Sequence, residues 1–119
     1  AEAAPNLAIT KSVSPVPVTE NGTLTYTFRI QNYGSVAATN TTGVVITDTF
    51  APVLNNLTAA LNGTAWTATT DYTYNEATGT FSSTAGAITV PAATYTQDST
   101  TGAWVVTPGE STLVITGTV

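Results

Sequence analysis

The 119-residue chain contains no histidine, no cysteine and no methionine, and only 2 of its residues are lysine or arginine. Without histidine and cysteine, the usual ligands of zinc, copper and haem iron are missing, so we predict no metal centre and no cofactor. The two cations, Lys11 and Arg29, cannot form the basic stripe that neutralises nucleic-acid phosphates. We therefore expect no nucleic-acid partner.

Catalytic chemistry also has few candidate groups. An activated serine or threonine needs a neighbouring base, and the chain offers only seven carboxylates and Lys11 for that role. No apolar run approaches the roughly 20 residues that a membrane-spanning helix needs. The sequence therefore predicts neither an enzyme nor a membrane span.

Threonine hydroxyls, rather than charged groups, supply much of the polarity of this chain. It occupies 28 positions, whereas charged residues make up 8% of the chain and the formal net charge is −5. A soluble domain usually has about 25% charged residues. The hydrophobic fraction of 42% is high enough for a folded core, and the length fits one domain.

Alternation of apolar and polar residues is the main structural signal. In residues 23–32 the even positions are apolar up to Asn32, which predicts a half-buried antiparallel strand. Residues 7–13 and 112–118 have the same pattern. Turn signals lie at Asn21-Gly22, Asn32-Tyr33-Gly34, Asn62-Gly63, Glu76-Ala77-Thr78-Gly79 and Pro108-Gly109. About eight to ten short strands with closely spaced turns predict an all-β fold, a single immunoglobulin-like antiparallel β-sandwich.

We divide the chain into an N-terminal strand or extension, residues 1–14, and a sandwich body, residues 15–119. Leu7, Ile9 and Val13 are in register along the first strand and are candidate polymerisation residues. Pro15 and Pro17 make the following segment stiff and extended, and they are a candidate hinge. Such a joint would let the first strand complete the sheet of a neighbouring subunit.

Lys11, Asn32 and Asp48 interrupt apolar positions of the alternating pattern. Because an unpaired buried ammonium costs several kcal/mol, we predict a structural cluster in which Lys11 pairs with Asp48 and Asn32 fixes the turn before Gly34. The alternative is a spontaneous isopeptide crosslink from Lys11 to Asn32 or to Asp48. Desolvation would then make the amine nucleophilic, and a neighbouring carboxyl would carry its proton.

Four Asn-x-Thr sequons begin at Asn21, Asn40, Asn56 and Asn62, in or beside predicted turns. They are candidate glycosylation sites if the source organism glycosylates secreted proteins, and turn geometry alone is the other explanation.

Two loops contain oxygen-bearing side chains whose spacing does not match a calcium-binding EF-hand, so turn-forming roles are favoured. They are Asp71, Asn75 and Glu76 in one loop and Asp98 with Ser99 in the other. Trp66, Trp104 and Tyr95 either form a sugar-stacking platform or close the ends of the core.

Several segments together resemble the bacterial and archaeal cell-surface repeat known as domain of unknown function 11, or the conserved surface repeat. The matching segments are residues 7–15, 21–26, 32–34, 45–50 with Pro52, and 108–115. The resemblance implies an immunoglobulin-like fold and a secreted or cell-surface location. Because the chain begins at Ala1, we expect a removed signal peptide or a longer parent protein.

Two functions fit these observations. In the first, the chain is a structural subunit that polymerises with itself into an extracellular, pilus-like filament by exchange of the first strand. In the second, it is a spacer or repeat module of a large surface adhesin, or a module that binds a surface glycan or protein. Scarce charge favours the first, because edge strands with few charges are poorly protected against pairing with other chains.

Overall fold

The computed structural model describes residues 5–14 and 21–119, and these residues form ten β-strands and no helix. The strands are β1 Leu7–Ser14, β2 Thr23–Asn32, β3 Thr47–Thr49, β4 Asn55–Leu61, β5 Thr64–Ala65, β6 Tyr72–Asn75, β7 Thr80–Ser83, β8 Thr94–Gln97, β9 Trp104–Thr107 and β10 Gly109–Thr118. Among the described residues, then, no helix could cross a membrane.

The strands form three antiparallel sheets. The largest has the order β1-β2-β10-β4-β5, the second has the order β3-β7-β6, and the third consists of β8 and β9. The long strands β2 and β10 lie side by side at the middle of the largest sheet, with Phe28 opposite Leu113. β1 lies at one edge of this sheet, and β3 lies at an edge of the second sheet.

One hydrophobic core lies between the two larger sheets. Alternate side chains of β2 are buried on one face, as the period of a half-buried strand requires. They pack with Phe81 of β7 and Tyr72 of β6, and Phe50 lies 4.6 Å from Tyr26 between ring centroids. The arrangement is that of a β-sandwich, in which each large apolar side chain contributes about 1.5–3 kcal/mol by burial.

The predicted all-β architecture with antiparallel sheets is confirmed. The strand predicted at residues 23–32 has the same bounds in the structure. Asn62-Gly63 joins β4 to β5, and the turn before Gly79 joins β6 to β7. In both turns the glycine has a positive φ, which residues with a Cβ rarely adopt.

Candidate functional site

A groove opens where β1 runs along the edge of the sandwich. The side chains of Leu7, Ile9 and Val13 point to the core side of the sheet, since they lie opposite buried or core-facing residues of β2. They are nevertheless 36%, 52% and 38% exposed. The reason is that the facing edge strand, β3, is only three residues long and leaves most of β1 uncovered.

Two adjoining cavities make up this groove, which we call the β1 groove. One is about 390 Å³ and is lined by Ile9, Thr10, Lys11, Phe28, Val45, Ile46, Thr47 and Asp48. The other is about 160 Å³ and is lined by Leu7, Ala8, Ile9, Ile30, Val44, Val45 and Ile46. They share Ile9, Val45 and Ile46, so the groove follows β1 along the core side of the sheet.

Lys11 and Asp48 meet across the β1 groove. The Lys11 Nζ atom lies 2.5 Å from Asp48 Oδ2, and their side chains are 42% and 20% exposed. The other carboxylate oxygen, Oδ1, accepts the backbone N–H of Thr49 at 2.8 Å. This contact joins the edge strand of one sheet to the edge strand of the other.

Aromatic rings surround the ammonium group of Lys11. Its Nζ atom lies 4.8 Å from the ring centroid of Tyr26, 5.8 Å from that of Phe50 and 5.9 Å from that of Phe28. Each ring is in the range at which its negative face attracts a cation. The lysine is therefore held at this place by a carboxylate and by aromatic faces together.

The structure separates Asn32 from this pair. Asn32 lies opposite Leu7 on β1, whereas Lys11 lies opposite Phe28, so about 13 Å of strand lies between the two side chains. The amide of Asn32 is fully buried and accepts the backbone N–H of Gly34 at 2.9 Å. It therefore has a turn-forming role, and Asp48 is the group that lies beside Lys11.

Arg29 and Glu110 form an ion pair on the opposite face of the largest sheet. Arg29 Nε lies 2.9 Å from Glu110 Oε1, and Nη2 donates to Oε2 at 3.0 Å. The hydrogen bond from Arg29 lowers the pKa of Glu110, and the hydrogen bond to Glu110 raises the pKa of Arg29. Both groups are exposed, so this pair stabilises the fold little.

The hairpin of β8 and β9 presents an apolar surface to solvent. Tyr95 lies opposite Val106 and Gln97 lies opposite Trp104, so Tyr95, Trp104 and Val106 share one face. Trp104 is 65% exposed. The hydroxyl of Tyr95 donates to the carbonyl of Tyr33 at 2.8 Å and connects the hairpin to the sandwich.

Most of the exposed large hydrophobic residues of the described chain fall into two groups. Leu7, Ile9 and Val13 lie on β1 and Val45 lines its groove, whereas Tyr95, Trp104, Val105 and Val106 lie on the hairpin, and Tyr33 and Val36 follow β2. Trp66 belongs to neither group, because it is half-buried and stacks on Tyr72 with ring centroids 6.3 Å apart. The three predicted aromatic residues thus do not form one platform.

The four sequon asparagines are exposed, but they differ in their contacts. Asn21, Asn56 and Asn62 adopt positive φ angles, which asparagine adopts more readily than most residues; Asn21 and Asn62 lie in turns, and Asn56 lies near the start of β4. Asn62 also uses its side chain, since Nδ2 donates to Ser111 at 3.3 Å and Oδ1 accepts the N–H of Thr112 at 2.8 Å. Asn40 lies in the turn before Gly43.

The acidic loops use their side chains to shape turns. Asp71 accepts the backbone N–H of Thr67 at 2.8 Å, and Asn75 accepts that of Ala77 at 2.9 Å. Hydrogen bonds from the backbone N–H groups of Thr101 and Thr100 lower the pKa of Asp98. Residues 5–14 and 21–119 contain no cluster of three or more acidic side chains that could hold a metal ion.

Comparison with protein-family models, with curated proteins and with solved structures finds no match for this chain. Sequence patterns did not reveal the hairpin, although the turn residues Asp98 and Gly102, between residues 94–97 and the β-branched residues Val105 and Val106, were a usable signal.

Proposed function

We propose that the chain is a structural subunit of an extracellular prokaryotic filament that polymerises by exchange of β1 between copies. The observation that carries the proposal is the state of β1 itself. It is an eight-residue edge strand, β2 is the one strand of the described residues that pairs with it, and every one of its residues is exposed. A strand that buries so little of itself in its own sheet is one that another copy can replace.

Exchange would preserve every contact that β1 makes. The register from Leu7 opposite Asn32 to Ser14 opposite Thr25 can form equally between β1 of one copy and β2 of the next. Because the same contacts form in both arrangements, the free-energy difference is small, as in domain swapping. An exchange that passes from copy to copy in one direction gives an open chain of subunits rather than a closed dimer.

The extracellular location is part of this proposal and is supported by the resemblance to cell-surface repeats. The candidate hinge, Pro15 and Pro17, lies outside the described residues. The groove residues Val45 and Ile46 are on the acceptor side: they line the same cavities as Ile9 of the resident strand and would line them with Ile9 of an incoming strand.

Deletion of residues 1–14 tests whether β1 is the polymerising element. We expect the full chain to form fibres by electron microscopy and the truncated chain to stay soluble and unpolymerised. A peptide of residues 1–14 added to the truncated chain should bind to the open edge of β2 without producing fibres. Fibres formed by the truncated chain would contradict the proposal.

Disulfide trapping tests which strands pair between copies. Because the chain has no native cysteine, every disulfide must form between the introduced residues. Ala8 lies opposite Gln31, so a mixture of the single variants Ala8→Cys and Gln31→Cys should give disulfide-linked dimers only if β1 pairs with β2 of another copy. The matched control is Ala8→Cys mixed with Thr27→Cys, since Thr27 lies opposite Ser12. Equal yields in the two mixtures would show that the disulfides form by random collision.

The alternative function is a surface module that binds a glycan or a protein, and one observation favours it. Tyr95 and Trp104 are exposed on the same face of the hairpin, where aromatic rings could stack on a sugar. A monodisperse monomer in light scattering, together with capture by a glycan array that is lost in Trp104→Ala, would support this function over the filament.

A further inference from the structure

We infer that Lys11 and Asp48 form a covalent amide bond across the β1 groove. The inference rests on the contact itself and does not depend on whether the chain polymerises. Three features of the contact carry it: the way the two groups meet, the hydrogen bond on the far oxygen of the carboxylate, and the aromatic rings around the amine.

The two groups meet at less than the length of an ordinary ion-pair hydrogen bond. Lys11 Nζ lies 2.5 Å from Asp48 Oδ2, and within residues 5–14 and 21–119 this buried oxygen has no donor in regular hydrogen-bond geometry. A charge-assisted N–H···O bond usually has a length of about 2.7–2.9 Å. The amine nitrogen is therefore pressed against the carboxyl group that it would attack.

The two oxygens of Asp48 are differentiated in the way that acyl transfer requires. Oδ1 accepts the backbone N–H of Thr49 at 2.8 Å, so negative charge that develops on this oxygen during attack is stabilised. Oδ2 has no such bond and is the oxygen that leaves. Oδ1 becomes the carbonyl oxygen of the amide and keeps its donor.

The surroundings position the amine and keep water from one side of it. The rings of Tyr26, Phe28 and Phe50 lie within 6 Å of Nζ, so they hold the ammonium beside Asp48 before the reaction and displace water from one side of it. A charged pair beside apolar groups carries a desolvation cost that a neutral amide does not carry. The lysine side chain is 42% exposed along the edge strand, which leaves a path for the product water to escape.

The reaction balances within the pair. One proton passes from the Lys11 ammonium to Asp48 Oδ2, which gives a neutral amine and a carboxylic acid. The Nζ lone pair attacks Cγ and forms the N–C bond, the Cγ–Oδ2 bond breaks, and a second nitrogen proton leaves with Oδ2 as water. The product keeps one N–H, and no oxidant, metal or other reactant is needed.

Mass spectrometry of the denatured full chain tests the bond. We expect the wild-type chain to weigh one water less than its sequence, and Lys11→Arg and Asp48→Ala to have their full sequence masses. Asp48→Asn should lose ammonia instead and reach the same mass as the crosslinked wild type. A full-mass wild type would overturn the inference, and so would a loss of water that persists in Lys11→Arg.

Trypsin gives a second readout, because the sequence has only two cleavage sites, after Lys11 and after Arg29. The uncrosslinked chain should give three peptides: residues 1–11, 12–29 and 30–119. The crosslinked chain is cut only after Arg29, and residues 1–29 and 30–119 stay joined as one branched species. Recovery of the three free peptides would also overturn the inference.

The same samples separate this inference from the filament proposal. Crosslinked monomers that form no fibres would support the amide bond and contradict strand exchange. Fibres that dissociate in hot detergent into full-mass chains would contradict the bond and leave the filament intact. A detergent-resistant ladder would support both, with Lys11 of one copy bonded to Asp48 of the next.

Discussion

The side-chain oxygen of Asn32 accepts the backbone N–H of Asn6 at 3.0 Å, across 26 positions of sequence. The same oxygen accepts the N–H of Gly34 at 2.9 Å, and the amide nitrogen donates to the carbonyl of Val36 at 2.8 Å. One fully buried amide therefore shapes the turn after β2 and attaches the start of β1 to it. The backbone N–H of Tyr33 also donates to the carbonyl of Asn6 at 2.8 Å, so two hydrogen bonds outside the β1–β2 ladder attach Asn6 to the turn after β2.

Replacing Asn32 should both weaken the fold and loosen β1. In Asn32→Ala, the N–H groups of Asn6 and Gly34 and the carbonyl of Val36 lose their partner. Because an unsatisfied buried polar group costs about 1–3 kcal/mol, we expect the free energy of unfolding in urea to fall by about 2–4 kcal/mol. Asn40→Ala is the matched control, since Asn40 is exposed in a turn and its replacement should change stability by less than about 0.5 kcal/mol. Equal effects of the two substitutions would show that the buried amide contributes nothing specific.

The sandwich could be predicted from sequence where one strand carried its own signal. Alternation in β2 fixes which residues face the core, and the Asn62-Gly63 turn fixes a hairpin, because both are local properties of the chain. The β1 groove could not be predicted in this way. It exists because β3 ends after three residues, and the length of a facing strand depends on how two sheets pack rather than on either segment alone.

The hairpin of β8 and β9 could not be predicted from the alternation of apolar and polar residues either. Trp104, Val105 and Val106 are consecutive apolar residues, so β9 has no alternating pattern. A continuous apolar run normally indicates a strand that is buried on both faces. Here all four residues of β9 are exposed, and the sequence contains no local sign of that exposure.

A second prediction concerns the hydroxyl of Tyr74. It donates to the carbonyl of Leu54 at 2.8 Å and accepts the N–H of Leu54 at 3.0 Å, and Leu54 is fully buried. Tyr74→Phe leaves both backbone groups without a partner, so we expect the free energy of unfolding to fall by about 1–3 kcal/mol. Tyr95→Phe removes an exposed hydroxyl that donates to one carbonyl, and its effect should be clearly smaller. If Tyr95→Phe lowers the free energy of unfolding as much as Tyr74→Phe does, the prediction about the Tyr74 hydroxyl is wrong.

A third prediction concerns pH. The hydrogen bond from Arg29 holds the pKa of Glu110 below its ordinary value of about 4.3 in the folded chain. A carboxylate with a lowered pKa stabilises the folded state above its ordinary pKa, and this contribution is lost as the pH falls through the lowered value. The stability difference between wild type and Glu110→Gln should therefore be constant near neutral pH and shrink on acidification.

The difference should also shrink in high salt, because both partners are exposed and their attraction is screened. Denaturant unfolding across a pH series measures it directly. Glu76→Gln serves as a control, since Glu76 is exposed and belongs to neither ion pair of the described chain. A difference for Glu110→Gln that grows at low pH would show that the pair does not act as the geometry indicates.

The last prediction concerns the apolar face of the hairpin. Tyr95, Trp104 and Val106 share that face, and Val105 points to the opposite one. Exposed apolar patches of this kind promote association, and burying one large apolar side chain contributes about 1.5–3 kcal/mol. Trp104→Thr should therefore weaken self-association, measured by sedimentation at several concentrations, by on the order of 10-fold or more.

Stability should change little in Trp104→Thr, because the indole is 65% exposed in the single chain. This separates a loss of association from a loss of folding. Val105→Thr is the matched control: it replaces a 51% exposed apolar residue of the same strand on the other face. If association weakens equally in Trp104→Thr and Val105→Thr, copies associate through the apolar residues of both hairpin faces rather than through one face. If it weakens in neither, copies do not associate through the hairpin, and the exchange of β1 is the contact that remains, which Ile9→Thr tests.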